Sequence, residues 1–196
     1  MPIVGLLLAA GRGERFGGAK LLAPLPASGA DAGVPVGVAA CRALVAAIAD
    51  VVAVVRPGDI AIAALFAAAG ARVVECARAD DGMGASLACG VNATRDADGW
   101  IVALADMPWI APATLAAVRS ALEAGATVVA PFHRGERGHP VGFGRACGAE
   151  LAALTGDEGA KSVVAARRAV LVRIDVDDAG ILHDVDTPVD LVPGCG

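Results

Sequence analysis

The sequence predicts an α/β fold in which a mainly parallel sheet lies between two layers of helices. Short, continuous apolar runs, typical of strands buried on both faces, alternate along the chain with alanine-rich stretches of helical spacing. This alternation favours parallel strands joined by crossover helices. The 196 residues show no clear linker or internal repeat, so we expect residues 1–196 to form a single domain.

The individual elements follow from local pattern and from the positions of glycine and proline. Apolar runs predict strands over residues 3–10, 51–55, 72–75, 99–105, 127–130, 141–143 and 170–174. Helical spacing, or proline and glycine at the ends, predicts helices over residues 36–48, 60–69, 86–93, 112–124 and 162–168. Residues 23–34, rich in Pro, Gly and Ala, predict a surface connection, and residues 184–192 complete the pattern.

Composition and charge argue against several classes of protein. The net charge is −5 with scattered arginines and 3% aromatic residues, which disfavours nucleic-acid binding through phosphate neutralisation or base stacking. The first apolar run is too short to span a membrane, and cations follow it instead of preceding it as in a secretory signal. We therefore expect a cytoplasmic protein with no membrane partner. Its thiols form no Cys-x-x-Cys pair and are expected to be reduced and mostly buried, at Cys41, Cys76, Cys89, Cys147 and Cys195.

The most informative stretch is residues 8–20, Leu-Ala-Ala-Gly-Arg-Gly-Glu-Arg-Phe-Gly-Gly-Ala-Lys. A buried strand opens here into a turn whose backbone N–H groups can converge on one anion, because glycine tolerates positive φ and close approach. Arg12, Arg15 and Lys20 add positive charge, and arginine can hold phosphate oxygens through two hydrogen bonds. The stretch predicts a triphosphate site; the alternative is a glycine hairpin with solvated arginines.

Two commoner phosphate-binding loops do not match this stretch. The dinucleotide fingerprint requires glycine at its sixth position, where this chain has Phe16, and this also disfavours a reductase built on that fold. The P-loop requires serine or threonine after its lysine, whereas Leu21 follows Lys20. The stretch resembles instead the signature of nucleotidyltransferases, which activate sugars or cofactors with a nucleoside triphosphate.

Three acidic residues are candidates for a divalent metal site. Asp106 follows the predicted strand 99–105, where it could hold Mg²⁺, an ion that takes one or two carboxylates together with water and phosphate oxygens. The alternative is that Asp106 caps the following helix. Asp184 and Asp186 would share one face of an extended segment, and we prefer Asp186 as the second ligand. Alternatively, Asp186 caps a last helix that begins at Pro188.

Two further residues are candidates for contact with a second substrate. His139 precedes Pro140 and a predicted strand. A single histidine is usually structural or exposed, and its functional interpretation is orientation of the second substrate by hydrogen bonding. Lys161 follows the acidic and glycine-rich residues 156–159. These residues either begin a helix, whose dipole favours acidic side chains, or form a loop that contacts an acceptor phosphate through Lys161.

Together these motifs resemble those of the molybdenum cofactor cytidylyltransferases, within the larger family of Rossmann-like nucleotidyltransferases. The resemblance covers nearly the whole chain, and residues 8–22 and 104–108 are of a kind shared widely in that larger family. More specific to the cofactor-modifying branch are Gly-Met-Gly-Ala-Ser-Leu at 82–87, Gly-His-Pro-Val-Gly-Phe at 138–143 and Asp-Val-Asp-Thr-Pro at 184–188.

This resemblance implies a Rossmann-like three-layer nucleotidyltransferase fold that transfers CMP from CTP to the phosphate of molybdenum-bound molybdopterin. It implies Mg²⁺ as cofactor, pyrophosphate as product, and a molybdoenzyme or its insertion chaperone as a further partner; we expect a monomer or weak oligomer. Ala10 stands where related guanylyltransferases usually have glycine, and its methyl group would narrow the base pocket against a purine. The implied roles are catalysis by Arg15, Lys20 and Asp106; nucleotide binding by Ala9, Ala10, Gly11, Arg12, Gly13, Lys20, Gly82, Gly84 and Ser86; metal binding by Asp106 and Asp186; and acceptor binding by His139 and Lys161.

Other interpretations share part of this evidence. A guanylyltransferase for the same cofactor would have the same fold and first loop. A sugar-1-phosphate nucleotidyltransferase would as well, although those enzymes usually carry a longer C-terminal region. A non-catalytic module that binds or delivers a nucleotide or cofactor need not keep Arg15, Lys20 and Asp106 together. Release of pyrophosphate in the presence of Mg²⁺ separates the enzymes from the module.

Overall fold

The computed structural model describes residues 2–27 and 31–191. Its strands are β1 (Ile3–Leu8), β2 (Asp50–Val55), β3 (Arg72–Glu75), β4 (Gly99–Leu104), β5 (Val128–His133), β6 (Glu136–Arg137), β7 (Val141–Gly144) and β8 (Leu171–Asp175). Its helices are α1 (Val36–Ala47), α2 (Ile60–Ala68), α3 (Met83–Asn92), α4 (Pro112–Glu123), α5 (Gly148–Ala152) and α6 (Lys161–Ala166). No helix in these ranges combines the length and apolar character needed to cross a bilayer.

The strands of the described residues form one eight-stranded sheet in the order β3–β2–β1–β4–β7–β5–β6, with β8 paired to β5. β1 pairs in parallel with β2 and β4, β2 with β3, and β5 with β8. β7 runs antiparallel between β4 and β5, and β6 is antiparallel to β5. All strands except β6 and β7 therefore share one direction, and the prediction of a mainly parallel sheet is confirmed.

Helices cover both faces of the sheet, as the continuous apolar runs predict. Along β1, Leu7 packs into a core cluster with residues of α1, α2 and α4, whereas Leu6 packs into another with residues of α3, α5 and α6. Gly5 interrupts the apolar run because α1 lies close at this point: a Cβ on Gly5 would lie 3.1 Å from the side chain of Leu44. The two clusters therefore lie on opposite faces of the sheet, and helices, sheet and helices form three layers.

The order of the strands creates a crevice at the carboxyl ends of β1 and β4. The chain winds outward from β1 to β2 and β3, then crosses back to β4 on the other side of β1. Connections leave the sheet in opposite directions at such a switch point, and ligands of open α/β sheets bind there. The N–H of Ala9 donates to Val54, and that of Ala105 donates to Leu8, so the three strand ends stay aligned.

The structure differs from the predicted elements in several places. The helix expected from residue 86 begins at Met83, because the turn at Gly82 leads directly into it. β6 and α5 were not predicted, since two and five residues are too few to show a periodic pattern. Residues 184–191 contain no strand; their only regular element is the 3₁₀ turn Pro188–Leu191, and residue 192 of the predicted segment lies outside the described residues.

The cysteines within the described residues are free thiols. Cys41, Cys76 and Cys147 are buried and Cys89 is half-buried, whereas Cys195 lies outside the described residues. Burial raises the pKa of the Cys41 thiol to about 11. Because the thiolate is the reactive form, Cys41 behaves as a small apolar residue of the core.

Candidate active site

The glycine-rich loop leaves β1 at Leu8 and folds back on itself before Lys20. Gly13, Gly17 and Gly18 all have positive φ. Gly13 is required on two counts: its φ is 63°, and a Cβ there would lie 2.8 Å from the carbonyl oxygen of Gly18. The N–H of Lys20 donates to the same carbonyl at 2.7 Å. The turn thereby returns Lys20 to the carboxyl edge of the sheet.

Three carboxylates lie together beside this loop. Asp106 follows β4, the parallel neighbour of β1, and its carbonyl accepts a 2.8 Å hydrogen bond from the N–H of Val185. This bond ties the irregular C-terminal segment to the end of β4. One ligand oxygen from each of Asp106, Asp184 and Asp186 lies within 4.8 Å of the other two. The structure thus brings both Asp184 and Asp186 to Asp106.

Other carboxylates serve the helix starts that Asp106 and Asp186 were alternatively expected to cap. Asp178 accepts a 2.9 Å hydrogen bond from the N–H of Ala111 at the start of α4. In the last turn, Asp190 accepts a 3.1 Å hydrogen bond from the N–H of Asp186. The side chains of Asp106 and Asp186 instead contact Lys20 of the loop.

Lys20 joins the loop to the carboxylates. Its Nζ lies 2.7 Å from Oδ2 of Asp106 and 3.3 Å from Oδ1 of Asp186, and its side chain is only 12% exposed. Burial by itself lowers the pKa of Lys20, but the hydrogen bonds and charges of the two aspartates outweigh burial and leave this pKa raised. Lys20 is therefore an ammonium ion. Arg15 adds a second cation, with Nη1 2.7 Å from Oδ2 of Asp186.

The acidic cluster has the chemistry of a site for a hard divalent cation. Three carboxylates face two cations, Lys20 and Arg15, so the cluster keeps one excess negative charge. Oδ1 of Asp106 is buried and has no hydrogen-bond partner among the described residues. A buried carboxylate oxygen without a partner is costly unless a ligand satisfies it. Carboxylate oxygens are the ligands that Mg²⁺ and Mn²⁺ prefer, so the residues fit such an ion.

A cavity of about 370 Å³ lies between the loop, Asp106 and the start of α3. Its volume is in the range of small-molecule sites. Oγ of the buried Ser86 donates to the carbonyl of Gly82 at 3.3 Å, so the hydroxyl oxygen can still accept a hydrogen bond. The predicted nucleotide-binding residues that line this cavity are Ala10, Gly11, Arg12, Gly82 and Ser86.

A larger cavity, of about 660 Å³, lies along the loop toward the start of α2. Gly11 and Arg12 line both cavities, so the two spaces adjoin at the loop. The other predicted nucleotide-binding residues that line the larger cavity are Ala9, Gly13 and Lys20. Every residue of the first loop that was assigned to the nucleotide therefore faces one of these two spaces.

The glycines of the second turn bring α3 against the segment before α6. At Gly82 φ is 104°, and a Cβ would lie 2.6 Å from the carbonyl oxygen of Gly156. A Cβ on Gly84 would lie 2.7 Å from the carbonyl oxygen of Thr155, and the N–H of Gly84 donates to the carbonyl of Gly156. Gly82 lines the smaller cavity, whereas the contacts of Gly84 are with protein backbone.

His139 and Lys161 line one further cavity, of about 80 Å³, on the α3 and α6 side of the sheet. Leu104 lines both this space and the 370 Å³ cavity. Burial lowers the pKa of His139, and the carbonyl of Val102 partly opposes this effect. Nδ1 of His139 is buried without a hydrogen-bond partner among the described residues. The structure therefore brings together the two residues that were predicted, from separate motifs, to contact the acceptor.

Arg56 and Asp80 lie at the same edge of the sheet but were not among the predicted site residues. Nη1 of Arg56 donates to the carbonyl of Ala10 at 3.1 Å, and both Arg56 and Arg12 contact the carboxylate of Asp80. One sequence signal could have found Arg56: it directly follows β2, the parallel neighbour of β1, and so must end at the edge that carries the loop.

A cationic glycine-rich loop and a carboxylate cluster at the switch point of a mainly parallel sheet define a nucleotide-binding α/β protein. Residues 5–170 match the MobA-like NTP transferase domain, and the chain belongs to this family of nucleotidyltransferases. No curated protein matches the chain.

Solved structures match almost the full length of the chain. Rv0371c from Mycobacterium tuberculosis H37Rv is 30% identical with a TM-score of 0.81, and the match covers 97% of this chain and 95% of that one. The complex of Rv0371c with manganese matches at 28% identity and a TM-score of 0.74, over 97% and 96% of the two chains. A nucleotidyl transferase from Methanothermobacter thermautotrophicus is 26% identical with a TM-score of 0.79, over 96% and 94%.

Proposed function

We propose that this protein transfers CMP from CTP to the phosphate of molybdenum-bound molybdopterin and releases pyrophosphate. The observation that carries the proposal is the contact of Lys20, from the signature loop, with Asp106 and Asp186 beside a cavity of nucleotide size. Membership of the MobA-like NTP transferase family supports nucleotidyl transfer. The motifs around Gly82, His139 and Asp184 support the molybdopterin acceptor. A molybdoenzyme, or its insertion chaperone, would receive the product.

Asp106 and Asp186 would hold a Mg²⁺ ion, with Asp184 within reach as a further ligand. The buried oxygen Oδ1 of Asp106, which lacks a partner among the described residues, supports this assignment, and so does the manganese complex of Rv0371c. Mn²⁺ and Mg²⁺ both prefer octahedral oxygen ligands. When bound, the ion would offset negative charge on the phosphates of the donor.

The chain's own residues would act by positioning and by charge. The reaction breaks the bond from the α-phosphorus to the pyrophosphate oxygen and forms a bond from the acceptor phosphate oxygen to the same phosphorus. Because that acceptor oxygen is already anionic, no general base is required. Lys20, held as an ammonium ion by its neighbours, would offset the charge that develops on the departing pyrophosphate. The exposed side chain of Arg15 would add to this effect once it leaves Asp186.

The preference for cytosine rests on Ala10. Ala10 is buried and lines the 370 Å³ cavity, where its methyl group would reduce the space available to a base. A purine needs more room than a pyrimidine, so glycine at this position would favour GTP. The alternative function, transfer of GMP to the same cofactor, would keep the roles of Lys20 and Asp106 and would change only the base.

On the acceptor side, His139 and Lys161 would contact molybdopterin. Burial keeps His139 neutral near pH 7, so one ring nitrogen can accept a hydrogen bond from a pterin N–H group. Lys161 is exposed at the first turn of α6 and would offset the charge of the acceptor phosphate. In the family that the chain resembles, an arginine is common at this position. Lysine keeps the positive charge of that arginine but cannot bind phosphate through two parallel hydrogen bonds.

The test is release of pyrophosphate by the purified protein with Mg²⁺ and molybdenum-loaded molybdopterin, comparing CTP, GTP, ATP and UTP. A strong preference for CTP supports the proposal. A preference for GTP would instead support the alternative function, transfer of GMP to the same cofactor. Binding of a nucleotide without pyrophosphate release would instead indicate a non-catalytic module.

Asp106→Ala is expected to abolish this release without loss of fold. A matched control is Asp98→Ala, at the opposite end of β4. The side chain of Asp98 is 28% exposed against 22% for Asp106, and it pairs with Arg145 away from the loop. Full activity of Asp106→Ala would refute the metal assignment.

A further inference from the structure

One carboxylate joins the ends of three neighbouring parallel strands. Asp80 lies in the 3₁₀ turn after β3, Arg12 in the loop after β1, and Arg56 directly after β2. Nη2 of Arg12 lies 2.8 Å from Oδ1 of Asp80, and Nη2 of Arg56 contacts the same oxygen. These two arginines and Asp80 are called the arginine bridge below.

The arginine bridge lies where the two large cavities meet. Arg12 and Arg56 line both the 370 Å³ and the 660 Å³ cavity, and Asp80 lines the smaller one. A nucleoside triphosphate with its base in the smaller cavity would have to direct its phosphates along Gly11, whose neighbour is Arg12. The phosphates would then meet the bridge.

The charges of the arginine bridge do not balance. Two guanidinium groups share one carboxylate, and among the described residues the only other carboxylate within 4 Å of either group is that of Glu14, with Oε1 3.8 Å from Nη1 of Arg12. Glu14 is exposed, and contacts between exposed charges are weak because water competes for both groups. The bridge can therefore exchange its carboxylate for a stronger anion at low cost.

We propose that Arg56 is a further phosphate-binding residue of the donor site, and that Asp80 competes with the phosphates of the nucleotide for Arg56 and Arg12. A polyphosphate offers several oxygens and more charge than one carboxylate, and guanidinium groups bind such oxygens in pairs. Both arginines also lower the pKa of Asp80, so this competitor stays ionised at neutral pH. The inference rests on the proposed triphosphate site and adds two residues to it.

Arg56 links this phosphate contact to the base pocket. Its Nη1 holds the carbonyl of Ala10 at 3.1 Å, next to the methyl group that we assign to base selection. Its side chain is half-buried, so it keeps a defined position, unlike the more exposed Arg12. When a phosphate replaces Asp80, Nη2 changes partner while Nη1 continues to hold the loop.

The test measures binding of tripolyphosphate alone, by calorimetry at about 0.15 M ionic strength, where screening acts over roughly 8 Å. Removal of the competitor in Asp80→Asn is expected to tighten binding by about threefold to tenfold, the range for one or two exposed ion pairs. The matched control is Asp81→Asn, which makes the same change of charge one residue away. Asp81 is 53% exposed against 61% for Asp80, but it pairs with Arg78 and not with the bridge.

A tightening in Asp80→Asn that is absent from Asp81→Asn supports the proposal. Equal effects in both variants, or weaker binding in Asp80→Asn, would overturn it. Arg56→Gln should weaken tripolyphosphate binding and abolish the gain from Asp80→Asn in the double variant, whereas Arg56→Lys should keep part of the affinity. If neither the wild type nor any variant binds tripolyphosphate, the triphosphate site itself is wrong and the inference falls with it. Binding that is the same in all variants refutes only the role of the bridge.

Discussion

Replacement of Lys20 by glutamine should separate metal binding from turnover. Nζ of Lys20 lies 2.7 Å from Asp106 and 3.3 Å from Asp186, the two residues that we assign to the metal. The ammonium group and a divalent cation therefore compete for the same two carboxylates. A hydrogen bond between charged groups is worth about 1.5–3 kcal/mol, and about 1.4 kcal/mol corresponds to a tenfold change in Kd. We expect Lys20→Gln to bind Mn²⁺ about tenfold more tightly.

Turnover should change in the opposite direction. Loss of one preorganised group that offsets charge in the transition state typically costs a factor of about 10² to 10³ in kcat. Lys20→Gln should therefore lose activity by this factor even at saturating metal. The combination of tighter metal binding and slower turnover distinguishes this role of Lys20 from that of a residue that merely maintains the fold.

The assay is a calorimetric titration with Mn²⁺, supported by the shift in Tm as the metal concentration rises. A ligand at 100 times its Kd stabilises the folded protein by about 2.7 kcal/mol, so a tenfold change in Kd is readily measured. The control is Lys161→Gln, which removes the same charge at an exposed site on α6. Metal binding in Lys20→Gln that is weaker than in the wild type, or equal to that of the control, would refute the reasoning.

Two further predictions concern the stability of the elements that surround the site. Gly82→Ala should cost roughly 3 kcal/mol or more in urea unfolding, because a Cβ at φ 104° would also lie 2.6 Å from the carbonyl oxygen of Gly156. Gly125→Ala, with φ 95° and no atom within 4 Å of the added Cβ, should cost only about 1 kcal/mol, so equal losses would contradict the role of the close approach. The second prediction concerns pH: burial lowers the pKa of His139 in the folded state, so the unfolded chain takes up a proton first as pH falls below about 6.5. The free energy of unfolding should then decrease toward acid pH by up to about 1.4 kcal/mol per pH unit. His139→Gln should remove this pH dependence, whereas the control His183→Gln should retain it. An unchanged slope in His139→Gln would show that another group is responsible.

The local elements were predictable because they depend on residues that are close in the chain. The apolar run that became β1 is buried throughout, and the helices begin and end within a few residues of the predicted positions. The reversed direction of β7 was not predictable from its own residues, since Val141–Gly144 is as apolar as a parallel strand. Its direction follows from the short connection through β6, which is too short to cross over the sheet.

The candidate site was predictable to the extent that it follows from strand ends. Asp106 was predicted at the loop because it follows a strand, and parallel strands end at the same edge of the sheet. The choice between Asp184 and Asp186 could not be predicted, because both lie on an irregular segment. The position of that segment depends on the hydrogen bond from the N–H of Val185 to the carbonyl of Asp106. In the structure both reach the cluster, and Asp186 alone of the two contacts Lys20 among the described residues.

The sequence by itself determined the glycine-rich loop, its cations and the class of fold, since each of these is a property of neighbouring residues. Only the tertiary structure decided which charges meet. Lys20 and Asp106 are 86 residues apart in the chain, and Arg56 and Asp80 are 24 apart. The first contact arises because β1 pairs with β4, and the second because β2 pairs with β3, a strand order that no local pattern encodes. The arginine bridge matches no sequence motif as a group, and it forms only because of that strand order.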